Sequence, residues 1–65
     1  MNITLNGKPA VAEEGETLAG LIEKLNVKGM VAALLNEEVV RREDLGGKKL
    51  KDGDVVELLR MMGGG

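Results

Sequence analysis

The residues with the strongest chemical implication are Gly63, Gly64 and Gly65, which follow the apolar stretch "LLRMM". Glycines add no side chain to a core and lose the most entropy on ordering, so their value there is steric or chemical. A chain without Cβ atoms is the thinnest peptide available. It can enter a narrow channel of another protein and present the Gly65 carboxylate there. That carboxylate, with an ordinary pKa of about 3.5, is ionised at neutral pH and is a poor electrophile. Condensation with the α-phosphate of ATP turns it into an acyl-adenylate, which has a good leaving group. A sulfur nucleophile on a partner then yields a thiocarboxylate at Gly65. An amine nucleophile would yield an amide instead.

None of this chemistry requires a catalytic residue of the chain's own, and the composition offers few. There is no cysteine, no histidine and no aromatic residue among the 65. A cysteine or serine nucleophile served by a histidine base is therefore impossible within the chain. The usual zinc ligands are missing, so no metal site is expected. No phosphate-binding glycine motif or calcium loop is present. The formal charge of -2 argues against a nucleic-acid partner. The N-terminus alternates and lacks the apolar core of a signal peptide, and no membrane span is expected, so cytoplasm is the expected compartment. The chain is expected not to be an enzyme, to bind no cofactor, and to rely on ATP held by a partner.

The elements that must carry the tail can be read from periodicity. The 43% hydrophobic content fits one globular domain over 1–62, followed by a flexible tail over 63–65. In "MNITLNGKPAVAEEGE", Ile3 and Leu5 point one way and Asn2, Thr4 and Asn6 the other, as in a strand with one wet face. Asn6-Gly7 predicts a tight hairpin, with Val11 expected to point inward on the return strand. Pro9 suits an edge strand. Thr17 is a candidate N-cap, and Leu18, Leu21, Ile22 and Leu25 form one apolar stripe at i, i+3, i+4 and i+7. Gly20 weakens that helix and is read either as a close approach or as a tolerated glycine. Asn26 and Gly29 mark its end.

"MVAALLNEEVVRRED" opens a third strand, with Val31, Ala33 and Leu35 facing the core and Ala32 and Leu34 facing out. A turn near Asn36-Glu37 leads to a short strand at Val39 and Val40. The polar connection from Arg41 to Lys49 tucks Leu45 inward, Leu50 anchors the segment after it, and Asp52-Gly53 turns into the last strand. There Val56 and Leu58 fit the core, while Val55, Glu57, Leu59 and Met61 fit the other face. One helix covers one face of a sheet, so the expected fold is α+β. It is a four- to five-stranded mixed sheet with the helix across one face and the last strand central and parallel to the first, the ubiquitin-like β-grasp arrangement.

That arrangement leaves Ala32, Leu34, Leu59 and Met61 on the face away from the helix, where an apolar patch marks a partner site. The opposing reading is a register error of one residue, which would turn them all inward. Glu57 helps to fix the register. Arg41, Arg42 or Arg60 would supply a polar rim. An apolar outer face also admits a homodimer.

The stretches "MNITLNGKP", "GETLAGLIEKLN", "VAALLNEEVVRRED" and "LKDGDVVELLRMMGGG" together resemble the ThiS family of sulfur carriers of bacterial thiamine biosynthesis, over nearly the whole chain. The resemblance implies the β-grasp fold and a tail, Gly64-Gly65, whose terminal residue is adenylated by an E1-like enzyme. It implies conversion to a thiocarboxylate with sulfur delivered by a donor enzyme, and use of that sulfur by a thiazole synthase to build the thiazole ring. The docking surface it implies is Leu59, Met61 and Leu34, to which the reading of the sheet face adds Ala32, Glu57 and Arg60. Relatives often carry Asn-Gly in the second turn. Glu37 stands in its place here, tolerates positive φ poorly, and is expected to give that turn another form. The alternatives are a carrier of the molybdopterin type or of another pathway, a ubiquitin-like protein modifier, and a β-grasp scaffold without function.

Overall fold

The computed structural model describes residues 1–26 and 30–60, with only the backbone described at Met30 and Val31. Gly29, Met61, Gly63, Gly64, Gly65 and the boundary at residue 62 lie outside the described residues, as does the side chain of Val31.

The chain runs β1 (Asn2–Leu5), β2 (Lys8–Val11), α1 (Leu18–Leu25), β3 (Met30–Leu35), β4 (Glu38–Val40), a 3₁₀ helix (Arg42–Gly47) and β5 (Val55–Arg60). The strands form one mixed sheet in the order β2-β1-β5-β3-β4. β5 is central, parallel to β1 and antiparallel to β3. This is the β-grasp topology that the periodicity predicts.

Local chemistry explains each corner. Asn6 (φ 51°) and Gly7 (φ 81°) both take positive φ, which gives a hairpin turn whose twist matches its strands. That turn sets the register of β2 by pairing Leu5 with Lys8 and Ile3 with Ala10. Residues directly opposite share a face, so Ala10 and Ala12 turn to the core and Val11, opposite Asn2, turns out. The expectation for Val11 was wrong: it is 72% exposed. The turn geometry outranked its hydrophobicity.

Helix α1 starts as expected. Gly20 N–H donates to Thr17 Oγ1 at 3.1 Å, capping one of the free N–H groups of the first turn. It ends with Asn26 in the left-handed conformation, φ 54° and ψ 43°. Leu18 and Leu21 are buried, Ile22 packs against the core, and Leu25 is 43% exposed. A Cβ at Gly20 would come no closer than 3.5 Å to Thr17 Oγ1, so no close approach explains this glycine.

The second turn corrects another expectation. Asn36 (φ 52°) and Glu37 (φ 73°) both take positive φ, as Asn-Gly would. A non-glycine residue there costs about 1–2 kcal/mol. The antiparallel pairing of Leu35 with Glu38 across a two-residue loop demands it.

The core joins Ile3, Leu18, Leu21, Ala33, Val56 and Leu58, closed at its rim by Val40, Leu45 and Leu50. Leu45 is brought inward by the 3₁₀ helix, as expected. Segment 48–50 is stitched to the start of α1, where Leu18 N–H donates to the Lys48 carbonyl (2.9 Å) and Leu50 N–H to that of Glu16 (2.8 Å). Among the described residues, no helix is long and apolar enough to cross a membrane.

Candidate functional site

The glycine run follows β5 in the sequence, so the described residues next to it in the chain are those of β5 and the strands beside it. Along β5 side chains alternate. Val56 and Leu58 are buried under α1, while Val55, Glu57 and Leu59 are exposed on the opposite face. Pairing with β3 sets Leu59 opposite Ala32 and Glu57 opposite Leu34. The register is the expected one, and the outer face brings together Ala32, Leu34, Glu57 and Leu59.

Leu59 is 47% exposed, large and apolar, beside half-buried Ala32 and Leu34. Val39 of β4, directly opposite Leu34 and exposed, extends the patch by one strand. The sequence reading assigned Val39 no role. The signal was present, because a buried Val40 forces its neighbour out. Glu57 is the charge within this face.

Arg60 is not on that face. It shares the parity of Val56 and Leu58 and lines a cleft on the helix side with Leu5, Asn6, Leu25 and Leu58. Nor does Arg41 form a rim. Its guanidinium pairs with Asp44 (3.3 Å) and Glu43 (3.6 Å) in the neighbouring 3₁₀ helix. Between Met30, opposite Arg60, and Ala32, opposite Leu59, the ladder skips one residue. This register shift interrupts the ladder beside the end of β5, and the alternation of β3 gives no sign of it.

The other feature that sequence reasoning missed is Asp54, 5% exposed. Its Oδ2 accepts from Lys51 N–H (2.8 Å) and its Oδ1 from Asn36 Nδ2 (3.0 Å), while Asn36 Oδ1 accepts from Val55 N–H (2.9 Å). These bonds fasten the start of β5 to the β3–β4 turn. The carboxylate is satisfied by donors and is structural.

A sequence model of the ThiS family matches residues 3–65. The chain is 45% identical over 65 residues to the sulfur carrier protein ThiS of Thermus thermophilus, covering 97% of this chain and 98% of that protein. It is 41% identical over 66 residues to a thiazole synthase of Magnetococcus marinus, where the match spans all of this chain but 20% of that protein. The crystal structure of the thiamine biosynthesis protein ThiS from Geobacter metallireducens superposes with a TM-score of 0.84 at 40% identity, covering 100% of both chains. A solution structure of a thiamine biosynthesis protein from the same organism gives 0.82 at 42% identity, over 100% of this chain and 88% of that one. Matched in sequence and fold over essentially its whole length, the chain belongs to the ThiS family: it is a sulfur carrier of thiamine biosynthesis and not itself a catalyst.

Proposed function

We propose that the sulfur is carried on Gly65. A carboxylate oxygen of Gly65 attacks the α-phosphorus of ATP held by an E1-like adenylating enzyme, and pyrophosphate leaves. Sulfide-level sulfur, HS⁻, released at a donor enzyme then attacks the acyl carbon, displaces AMP and gives up its proton. The product is a thiocarboxylate, whose exposed sulfur is passed to a thiazole synthase for the thiazole ring. Gly63 and Gly64 keep the approach narrow, because a Cβ at either position would widen the chain. Leu59, Leu34 and Ala32, with Met61, form the apolar docking face, and Glu57 supplies polar registration at its centre.

The observation that carries this reading is the 45% identity to a sulfur carrier protein across nearly the full length of both chains, with the family match running to Gly65. The Magnetococcus relative supports the acceptor. In that protein a stretch matching this whole chain belongs to a polypeptide named thiazole synthase, and joining two modules in one chain raises their effective concentration to about millimolar.

The test is intact mass. Incubation with the adenylating enzyme, ATP and the sulfur source should raise the mass by the difference between sulfur and oxygen. Deletion of Gly65 should abolish the shift and leave the thermal midpoint unchanged. A shift that survives the deletion would place the chemistry elsewhere. An adduct on a lysine of another protein, with no sulfur gained, would favour the modifier reading. Leu59→Glu should slow conversion at least tenfold while stability moves by less than about 0.5 kcal/mol, as for an exposed site.

A further inference from the structure

Strand β1 covers only the first half of β5. It pairs Thr4 with Val55 and Leu5 with Val56, then turns away at Asn6. Along this shared edge, Thr4 N–H donates to the Asp54 carbonyl and Asn6 N–H to that of Val56, both at 2.9 Å. The next amide, Leu58 N–H, finds no strand. It donates instead to the side-chain oxygen of Asn6 at 2.8 Å. By the two-residue alternation of a strand, the Leu58 carbonyl and the Arg60 N–H lie on this same edge. Among the described residues, no strand pairs with them.

Beside this open edge lies the cleft lined by Leu5, Asn6, Leu25, Leu58 and Arg60, with a volume of about 390 Å³. Leu5, Leu25 and Leu58 give it an apolar wall, Asn6 and Arg60 make the rest of its lining polar, and Leu25 is the least covered residue of the helix stripe. Among the described residues, Arg60 has no carboxylate partner, unlike Lys24 and Arg41. Three different chemistries thus meet within one strand length: unpaired ladder groups, the apolar wall of Leu5 and Leu25, and an exposed guanidinium with no described carboxylate beside it. An extended peptide satisfies the first, an apolar side chain the second, and a carboxylate the third, by bidentate hydrogen bonding.

We propose that the adenylating partner lays an extended segment of its own along Leu58–Arg60, in the strand position that β1 vacates. An apolar side chain of that segment enters the slot between Leu5 and Leu25, and an acidic one meets Arg60. This rests on the carrier reading above and adds a second docking element on the opposite side of the sheet from Leu59. Its purpose is positional. From Arg60 to Gly65 a fully extended chain spans at most about 18 Å. A partner strand clamped at Arg60 fixes the origin of that reach, which then sets where the carboxylate arrives relative to the nucleotide.

The experiment uses the full chain and the adenylating enzyme. Binding, mass conversion and thermal midpoint are measured for wild type, Arg60→Glu, Arg60→Lys and Leu25→Asp. Arg60→Glu and Leu25→Asp should each weaken binding at least tenfold, with Arg60→Lys intermediate because lysine keeps the charge but loses the fork. The Arg60 amide should exchange with solvent more slowly in the complex than in the free chain. If wild type is converted while all three variants bind and convert equally well, and the amide is unchanged, the clamp is overturned and the carrier reading stands. If wild type itself is never converted, the carrier reading fails and the clamp falls with it. Should Leu25→Asp unfold the chain, Arg60→Glu at its exposed strand end decides alone.

Discussion

At its start β5 is tied down by side chains; at its end, among the described residues, β3 is the only strand that flanks it. The starting end carries the buried Asp54 carboxylate with its two N–H donors, and Asn36 bridging Asp54 to Val55. It is backed by Gly53 N–H on the Asn2 carbonyl (2.7 Å) and Asn2 N–H on Asp52 Oδ1 (2.7 Å). The far end has, among the described residues, a ladder with β3 whose register shifts and a bond from Leu58 N–H to the Asn6 side chain. The two ends belong to one short strand, so hydrophobicity does not distinguish them. Polar satisfaction does. Under the proposed function, in which the domain is a handle for a reactive tail, it gains from being rigid away from that tail and from keeping hydrogen-bonding groups available beside it. Local stability is uneven in the same sense, highest where backbone bonds are buried and reinforced.

The largest effect expected from breaking this asymmetry is at Asp54. Asp54→Ala leaves Lys51 N–H and Asn36 Nδ2 without their acceptor at a part-buried site, and should cost about 1–3 kcal/mol, read by urea denaturation. For a chain this short, at about 0.05–0.15 kcal/mol per residue, that is a sizeable share of the total stability. Conversion of the tail should be lost only in proportion to the unfolded fraction. A loss of conversion in chain that remains folded would show that Asp54 belongs to the chemistry rather than to the anchor.

A smaller change of opposite sign is expected at Glu37. Glu37→Gly relieves a positive-φ cost of about 1–2 kcal/mol at the second turn; the freer unfolded chain takes back about 0.4–1 kcal/mol of it, which leaves a small net gain. A destabilised variant would mean that the Glu37 side chain contributes something its exposed position does not reveal. Because the turn adjoins the Asn36 clamp, the gain should appear as slower hydrogen exchange at the start of β5 and leave Arg60 unaffected.

Both sites also show why the sequence was readable in some places and silent in others. Alternation in β5 placed Val56 and Leu58 inward and Glu57 and Leu59 outward, because burial of one face leaves a period of two. The helix stripe and its Thr17 cap were legible for the same reason: the physics is local. Val11 was misplaced because its side is set by a turn four residues away, not by its own apolarity. Glu37 was misjudged because loop closure between β3 and β4 overrides a residue's own φ preference. Asp54 gave no signal at all, since its partner Asn36 meets it only once β3 and β5 have paired. The proposed docking face was half legible. Leu34 and Leu59 follow from alternation, but Arg60, by that same alternation, belongs to the other side of the sheet.

The smallest effect concerns acid. The Glu13 backbone N–H donates to Glu16 Oε1 at 2.9 Å and holds the Glu16 carboxyl below its ordinary value; partial desolvation opposes this, and Lys24, at 3.2 Å, adds to the lowering. Glu16 also receives the Leu50 N–H on its backbone carbonyl, which joins this loop to the segment leading into the anchored end of β5. A carboxyl with a folded-state pKa below its unfolded value of about 4.3 stabilises the fold above that pH, and the contribution fades as pH falls through the folded value. Wild type should therefore lose slightly more stability than Glu16→Gln between neutral pH and the acid side of that window, and the two curves should become parallel below it. The loss should appear as faster exchange in the amides of Leu18 and Leu50 and not at Arg60. Equal acid sensitivity at both ends of β5 would mean that the anchor and the open end melt together, and that the asymmetry between them has no consequence for dynamics.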